Sequence, residues 1–289
     1  MDFKQIFEEK NLDFQKIEDL VSVALKEDMP SVDVTSEATI ADEQISQMDL
    51  VARKAGVIAG LDIAAYIFHI VSKERAEIEY FVKDGDEVSA SETLISITGN
   101  TKALLQAERP ALNFLCHLSG IATLTHSWVQ KIAGTKTKIR DTRKTTPGMR
   151  ELEKYAVRCG GGVNHRMNLS DAALIKDNHI AAAGSISEAK KRIAAAHPDV
   201  SIEIEVDTLN QLEEALECGF DTILLDNFSI QDTQRAVEIT AGSAKLESSG
   251  GITGDNVLEY AKTGVDYIAI GALTHSAPIL DIGADLKGN

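Results

Sequence analysis

The segment IEIEVDTLNQLEEALECGFDTILLD, residues 202–226, decides the fold class because it contains one complete strand–helix–strand unit. Residues 202–206 and 222–225 are short apolar runs typical of buried strands, and residues 209–218 between them have apolar side chains at helical spacing. A strand, a helix and a second strand in this order predict two parallel strands joined by a crossover helix.

The same alternation continues in both directions along the chain. Further strands are predicted at residues 137–141, 173–176, 245–248 and 267–270. Further helices are predicted at residues 187–196, 230–240 and 256–263, after a long amphipathic helix from about residue 109 to residue 133. Six strands that alternate with helices predict an α/β domain with a barrel-like parallel sheet.

The first hundred residues have a different pattern. Residues 13–26 carry apolar side chains at helical spacing, whereas residues 48–60 and 76–98 form short alternating runs interrupted by glycine. Glycine between alternating runs is typical of hairpin turns. This part of the chain is therefore predicted to contain a small sheet built from hairpins.

The composition limits the classes of partner. The chain has 289 residues, with 45 acidic against 29 basic side chains and a formal net charge of −16. This charge disfavours generic attraction to nucleic acid or to an anionic membrane. We expect neither as a partner, and an anionic ligand requires a local basic site.

The cysteines and the N-terminal residues indicate the compartment. Three widely spaced cysteines without a C-x-x-C pair argue against a disulfide framework or a structural zinc site. The first ten residues lack the layout of a signal peptide, and Asp62 and His69 interrupt the apolar stretch 57–71. We expect a soluble protein of the cytoplasm.

Polar side chains follow nearly every predicted barrel strand. They are Arg143 and Lys144, Lys176 to His179, Glu205 and Asp207, Asp226 and Asn227, Ser248 to Gly251, and Gly271. Residues 136–176 alone hold ten basic and four acidic side chains, a local balance of +6. Because parallel α/β barrels build their sites at the carboxyl ends of the strands, we expect a basic pocket there.

Two motifs supply cations to this predicted pocket. In DTRKTTPG, residues 141–148, an arginine and a lysine suit a ligand that carries both carboxylate and phosphate, although the hydroxyls alternatively only satisfy a turn. In GGGVNHR, residues 160–166, a flexible loop presents His165 and Arg166, although Gly160 alternatively ends the preceding helix.

Other basic residues have two interpretations. Lys176 ends an apolar strand, so its ammonium is expected at the mouth of the barrel, where a cluster of cations requires an anion. His179 is either part of this site or an ordinary polar loop residue. Arg150, Lys154 and Arg158 recur at i, i+4 spacing and alternatively form a solvated helix face.

Carboxylates and glycines complete the predicted site. Glu205 and Asp226 end adjacent strands and suit Mg²⁺ with a polyphosphate, or alternatively balance the positive charge directly. Asp207 alternatively caps the next helix. SSGG at residues 248–251 and Gly271 are typical of the phosphate cradle of such barrels, or alternatively form a structural turn.

Over nearly its whole length, the chain resembles the quinolinate phosphoribosyltransferase family. The matching motifs are ER at 108–109, HLSGIAT at 117–123, DTRKTTPGMR at 141–150, GGVNHR at 161–166, LIKDNH at 174–179 and LTHS at 273–276. The resemblance implies an N-terminal α/β sandwich domain over 1–112, an incomplete, six-stranded TIM-like barrel over 113–275, and a tail, about 276–289, that returns to the first domain.

The resemblance also implies an activity. The enzyme would transfer phosphoribosyl from phosphoribosyl pyrophosphate to quinolinate and release CO₂, giving nicotinate mononucleotide and pyrophosphate. The implied quinolinate site consists of Arg143, His165, Arg166 and Lys176, with Arg109 from the partner of a homodimer. The implied phosphoribosyl pyrophosphate site consists of Lys144, of Glu205 and Asp226 at Mg²⁺ and ribose, and of Ser249, Gly250 and Gly271 at phosphate.

Two other functions remain open at the level of sequence. A phosphoribosyltransferase of the same fold that uses nicotinate would have a single carboxylate to bind, which needs fewer cations than the motifs supply. A biotinyl or lipoyl carrier module is suggested by the glycine-punctuated run 83–98 and by Lys54. The carrier interpretation leaves the predicted barrel unexplained.

Overall fold

The computed structural model describes residues 1–287. The chain divides into two compact units: unit 1 comprises residues 1–126, 146–161 and the segment from residue 276 on, and unit 2 comprises residues 127–145 and 162–275. The domain limits 1–112 and 113–275 stay a prediction. Of the predicted returning tail, residues 288 and 289 lie outside the described residues.

Helices and strands are numbered in chain order. The helices are α1 (Phe3–Glu9), α2 (Phe14–Asp28), α3 (Val34–Thr39), α4 (Leu61–Val71), α5 (Thr101–Lys131), α6 (Arg150–Cys159), α7 (Asp177–Ala183), α8 (Ile186–Ala196), α9 (Leu209–Glu217), α10 (Ile230–Thr240), α11 (Val257–Lys262) and α12 (Ala272–His275). The strands are β1 (Ile45–Ala52), β2 (Gly56–Val57), β3 (Glu77–Tyr80), β4 (Glu87–Val88), β5 (Thr93–Asn100), β6 (Lys138–Arg140), β7 (Ala173–Ile175), β8 (Ile202–Val206), β9 (Thr222–Asp226), β10 (Lys245–Ser249), β11 (Tyr267–Ala269) and β12 (Ile282–Lys287).

Unit 1 is built around an antiparallel sheet with the strand order β12–β1–β5–β3. Leu50 in β1 lies opposite Ile95 in β5 and Ala284 in β12, and both Leu50 and Ile95 are fully buried. Helix α4 adds a run of apolar side chains to this core. Within residues 1–287, no helix combines the length and the apolar character needed to span a bilayer.

Unit 2 contains a parallel sheet with the strand order β6–β11–β10–β9–β8–β7. The apolar residues of the strands fill its core, and Ile204, Ile223 and Leu225 have no exposed surface. The first two strands of the unit, β6 and β7, lie at the two edges of the sheet, as expected for a barrel that does not close. The predicted fold class, an α/β chain with a six-stranded parallel sheet, is confirmed.

The crossover helices of unit 2 begin at hydroxyl side chains. Ser185, Thr208 and Ser229 accept backbone N–H groups at the first turns of α8, α9 and α10, which satisfies donors that a helix start leaves unpaired. Asp207 is therefore not the cap of α9, and its own N–H donates to Gln211. The capping alternative for Asp207 was wrong, because the cap lies one residue later.

Helix α5 begins eight residues earlier than the predicted start at 109. The side chain of Asn100 accepts the N–H of Ala103 at 3.2 Å, and the N–H of Thr101 donates to the carbonyl of Gln44 at 2.9 Å, so the first turn is anchored. Pro110 lies inside the helix. Its missing N–H removes one bond of the ladder, but the flanking turns of this long helix continue through it.

The structure decides between the alternative interpretations of Gly160, His179 and Lys154. Gly160 is the C-cap residue of α6, as one interpretation had it. His179 is not a loop residue, because it lies in the first turn of α7. Lys154 is fully buried, so the solvated helix face is wrong for this residue, whereas Arg150 and Arg158 are partly exposed.

The close approach of α5 to the C-terminal segment generates a prediction. A Cβ on Gly120 would lie 2.2 Å from the carbonyl oxygen of Pro278 and 2.9 Å from Cα of Ile279. We expect Gly120→Ala to lower the free energy of unfolding in urea by about 1–3 kcal/mol, because backbone must move. Gly99→Ala is the control: its Cβ would meet nothing nearer than 3.5 Å. Equal losses in the two variants would contradict the prediction.

Candidate active site at the carboxyl ends of the barrel strands

The predicted site residues of unit 2 gather at one edge of the parallel sheet. One or more come from each strand end: Arg143 and Lys144 after β6, Lys176 after β7, Glu205 in β8, Asp226 ending β9, Ser249 ending β10 with Gly250 after it, and Gly271 after β11. Because the strands are parallel, their carboxyl ends meet at the same side of the sheet. The loop with His165 and Arg166 follows Val163, which bridges to β6.

Lys144 is held beside the turn after β11. The hydroxyl of Thr274 donates to the carbonyl of Lys144 at 2.7 Å, and the N–H of Lys144 donates to the hydroxyl of Thr142 at 3.1 Å. A Cβ on Gly271 would lie 3.0 Å from Cδ of Lys144. Gly271 therefore leaves the space in which the lysine side chain runs, while the ammonium group stays exposed.

Lys176 and Glu205 form an ion pair across the neighbouring strands β7 and β8. The side chain of Lys176 is 43% exposed and that of Glu205 is 17% exposed, so the pair faces solvent on one side. The N–H of Lys176 donates to Nδ1 of His179 at 3.1 Å, which fixes the junction between strand and helix. An anion at this point would find a cation already oriented.

The ends of β9 and β10 form a tight turn structure. The N–H of Asn227 donates to the carbonyl of Ser249 at 2.8 Å, and the side-chain amide of Asn227 donates to Asp226 at 2.8 Å. Gly250 has φ +85°, and a Cβ there would lie 2.1 Å from Oδ1 of Asn227. Only glycine fits this position, both for its left-handed backbone and for its contact with Asn227.

Arg166 is a partly buried cation on which the charge of Arg143 acts. Burial, followed by the charge of Arg143, lowers the pKa of Arg166. One terminal nitrogen of Arg166 donates to the carbonyl of Ala172 at 2.7 Å, but its Nε is buried and has no hydrogen-bond partner within residues 1–287. A buried donor without an acceptor beside a second cation is the arrangement that a bound carboxylate would satisfy.

Below these strand ends lies a buried ionic network, which we define as Arg140, His165, Glu203 and Glu247. Arg140 donates to Glu247, and Nε2 of His165 lies 3.2 Å from Glu203 and 3.7 Å from Glu247. Burial on its own lowers the pKa of Arg140, but the contact with Glu247 outweighs it and raises that pKa. The guanidinium of Arg140 also lies over the ring of Tyr267, at 4.6 Å.

The sequence interpretation named only His165 of this network. Glu203 and Glu247 are buried within the strands IEIEV and KLESS, and a charged residue inside a strand predicted to be buried is the signal that was available. A cavity of about 430 Å³ at the amino ends of β8 and β9 is lined by Arg140, His165 and Glu203, and also by Arg166. The network therefore lies between the strand-end site and a second opening of unit 2.

Unit 1 holds one predicted site residue, Arg109, and a buried carboxylate, Glu153, that the prediction did not include. Arg109 lies on α5 with 62% of its side chain exposed, 3.7 Å from Glu108. Glu153 is fully buried and accepts the N–H of Thr146 at 3.1 Å, with Nε2 of His117 at 2.9 Å. Glu153, which the sequence interpretation missed, thus fixes the start of the segment that follows Lys144 in the chain.

Glu205 and Asp226 suit Mg²⁺ by their donor chemistry. They end the neighbouring strands β8 and β9, and both are carboxylates with partly exposed side chains. Mg²⁺ commonly takes one or two protein carboxylates and completes its shell with water and phosphate oxygens. His165, Glu203 and Glu247 also have ligand atoms within 4.8 Å of one another, but Arg140 already neutralises that group.

The fold and the site define a class of protein: an α/β-barrel enzyme for anionic, phosphorylated substrates. Comparison with known proteins gives the family. Residues 33–119 match the N-terminal domain, and residues 121–285 the C-terminal domain, of quinolinate phosphoribosyl transferase. The chain belongs to the quinolinate phosphoribosyltransferase family.

Individual relatives agree with this assignment. The chain is 48% identical to nicotinate-nucleotide pyrophosphorylase (carboxylating) of Mycobacterium leprae over 95% of this chain and 98% of that protein. Among solved structures, NadC from Streptococcus pyogenes has a TM-score of 0.91 at 40% identity, covering 96% of this chain and 97% of that one. The nicotinate-nucleotide pyrophosphorylase of Francisella tularensis has a TM-score of 0.92 at 37% identity, covering 96% and 98%.

The ionic network generates a prediction about pH. Burial, and then the charge of Glu203, raise the pKa of Glu247 from 4.5 to about 7. Between pH 4.5 and about pH 7, the folded chain keeps the proton of Glu247, whereas the unfolded chain releases it. The free energy that this proton contributes to folding is therefore lost as the pH rises through this range. We expect the free energy of unfolding of Glu247→Gln minus that of the parent, both measured in urea, to rise by up to about 3 kcal/mol from pH 5 to pH 8. Parallel pH profiles would contradict this.

Proposed function

We propose that the chain transfers phosphoribosyl from phosphoribosyl pyrophosphate to the ring nitrogen of quinolinate. The products are nicotinate mononucleotide, pyrophosphate and CO₂, a step of de novo NAD biosynthesis. The observation that carries the proposal is the buried Nε of Arg166, which has no hydrogen-bond partner within residues 1–287. The charge of Arg143 also acts on this guanidinium, so a substrate carboxylate would both accept from the free donor and balance positive charge. The family of the chain supports the same reaction.

The dicarboxylate is proposed to bind at one side of the site. Arg143, Arg166 and Lys176 receive its two carboxylates, and Arg109 of the partner subunit completes the pocket in a homodimer. Several cations on two carboxylates fix the plane of the ring as well as its position. The ring nitrogen is then directed at the anomeric carbon of the second substrate.

The phosphoribosyl donor is proposed to bind beside it. Lys144 contacts the pyrophosphate, and Ser249, Gly250 and Gly271 hold phosphate with hydroxyl and backbone N–H groups. Glu205 and Asp226 would hold Mg²⁺ and the ribose. When bound, Mg²⁺ would neutralise charge on the pyrophosphate group.

The proposed mechanism follows from the charges that develop during the reaction. As the bond from the anomeric carbon to pyrophosphate breaks, positive charge grows on the ribose and negative charge on the leaving group. The carboxylates of Glu205 and Asp226 stabilise the first, and the ammonium of Lys144 stabilises the second. The new nitrogen–carbon bond makes the ring cationic, so the ring accepts the electron pair that the departing 2-carboxylate leaves behind. A proton then replaces CO₂ at that carbon.

The first test measures product formation by Arg143→Ala. The parent enzyme with quinolinate, phosphoribosyl pyrophosphate and Mg²⁺ should release CO₂ and form nicotinate mononucleotide, and it should turn over nicotinate poorly. Arg143→Ala should lose at least about 100-fold in kcat/KM for quinolinate, because a charge-assisted contact with a carboxylate is lost. Arg192→Ala, an exposed arginine paired with Glu188 on α8, is the control and should stay within about twofold. Equal rates with both acids would defeat the proposal.

The second test concerns the proposed homodimer. Arg109→Ala and Arg143→Ala should each be inactive alone. Mixed under conditions in which subunits exchange, they should recover up to about a quarter of the parent activity, because some mixed dimers hold one complete site. Exchange is followed by mass spectrometry of differently tagged subunits. Proven exchange without recovery would exclude a shared site. A cytoplasmic location stays a prediction.

A further inference from the structure

Protein groups already engage both ring nitrogens of His165. Its Nδ1 accepts the backbone N–H of Arg166 at 2.7 Å, and its Nε2 lies 3.2 Å from Oε2 of Glu203. Only 8% of the His165 side chain is exposed. The ring therefore has no unengaged nitrogen to offer to a substrate carboxylate.

The hydrogen-bond partners assign the tautomer of His165. An Nδ1 that accepts a backbone N–H carries no proton, so the proton of the neutral ring is on Nε2. This Nε2–H faces the carboxylate of Glu203, with Oε1 of Glu247 at 3.7 Å. Glu247 is in turn held by Arg140. The carboxylate of Glu203 thus favours the one tautomer that can accept from Arg166.

The backbone around His165 is fixed by a third carboxylate. Asp141, which is fully buried, accepts the N–H of His165 at 2.8 Å through Oδ1 and the side-chain amide of Asn164 at 2.5 Å through Oδ2. Asn164, His165 and Arg166 are therefore each anchored by a separate hydrogen bond. The loop that carries Arg166 has little freedom to move.

This anchoring acts against an electrostatic repulsion. The charge of Arg143 lowers the pKa of Arg166, so it disfavours the charged form of that guanidinium. The hydrogen bond from the Arg166 N–H to Nδ1 of His165 holds the backbone of Arg166 itself, so it opposes a displacement of this residue.

We propose that His165 is a positioning residue that holds the backbone of Arg166, so that the Arg166 guanidinium stays in place for a substrate carboxylate. Glu203 fixes the tautomer of His165 for this task. The inference rests on the proposed function for the identity of the carboxylate, and it replaces the direct substrate contact that the family resemblance implied for His165.

Two isosteric substitutions separate the positioning role from a direct contact. The side chain of asparagine places an acceptor near the position of Nδ1, so His165→Asn keeps the bond to Arg166 and loses the contact of Nε2. Glutamine reaches the position of Nε2 and lacks the acceptor at Nδ1, so His165→Gln does the reverse. His165→Ala removes both.

The positioning role predicts the order of activities. His165→Asn should keep kcat/KM for quinolinate within about tenfold of the parent, and His165→Gln and His165→Ala should lose at least about 100-fold. KM for phosphoribosyl pyrophosphate should stay within about twofold in His165→Asn, because Arg166 is proposed to serve the other substrate. Equal activities of the asparagine and glutamine variants, or a better glutamine variant, would overturn the inference.

A spectroscopic measurement on the unmodified protein does not depend on whether variants fold. In protein labelled with ¹⁵N at histidine, long-range ¹⁵N–¹H correlations report which ring nitrogen carries the proton. His165, assigned by the loss of its signal in His165→Asn, should show the Nε2–H tautomer before and after quinolinate is added. Conversion to the imidazolium on addition of quinolinate would mean a direct ion pair and would overturn the inference.

The two proposals fail in different ways. A parent enzyme that does not consume quinolinate would refute the proposed function, whereas the tautomer measured without substrate would still test the hold on Arg166. An active parent enzyme whose His165 carries its proton on Nδ1 would keep the function and refute the positioning role.

Discussion

The burial of Arg166 within reach of the charge of Arg143 is the constraint around which the loop of Arg166 is arranged, because both effects lower the pKa of Arg166. Two guanidinium groups that share a partly buried site are stable together only when surrounding groups fix them. The chain meets this requirement with carboxylates placed away from the substrate side: Asp141 and Glu203 hold the loop and the histidine ring, and Glu247 pairs with Arg140.

Lys176 is a cation of the predicted site that already forms an ion pair with a protein carboxylate, that of Glu205. In the proposed function, a substrate carboxylate that binds Lys176 shares or displaces that partner, and Glu205 then becomes available to the ribose and to Mg²⁺. Under this proposal, a single ion pair couples the binding of one substrate to the arrangement of groups for the other. This coupling follows from adjacent strand ends, which place groups of opposite charge within reach of each other.

Much of this architecture was readable from the sequence, and the limits of that reading have physical causes. The six strands of the parallel sheet were predicted to within one residue at each end, because buried parallel strands are mostly apolar runs. The start of α5 was missed because Pro110 is typical of a helix start, whereas Asn100 and Gln44 anchor a turn far upstream. Glu203 and Glu247 were missed because periodicity does not show which charged residue of a strand points inward. The carboxylates at strand ends were found because the topology brings all such ends together.

Unit 1 has a consequence for the order of events during synthesis. Strand β1 is paired on one side by β5, which follows it closely, and on the other by β12, which begins at residue 282. At about 5–20 residues per second, roughly 10 to 50 seconds separate the end of β1 from the arrival of β12 at the ribosome. During this interval one edge of β1 lacks its final partner, and unpaired edges promote association between chains. The nascent chain is therefore most exposed to aggregation while the barrel is being made, and the last strand to be synthesised ends that period.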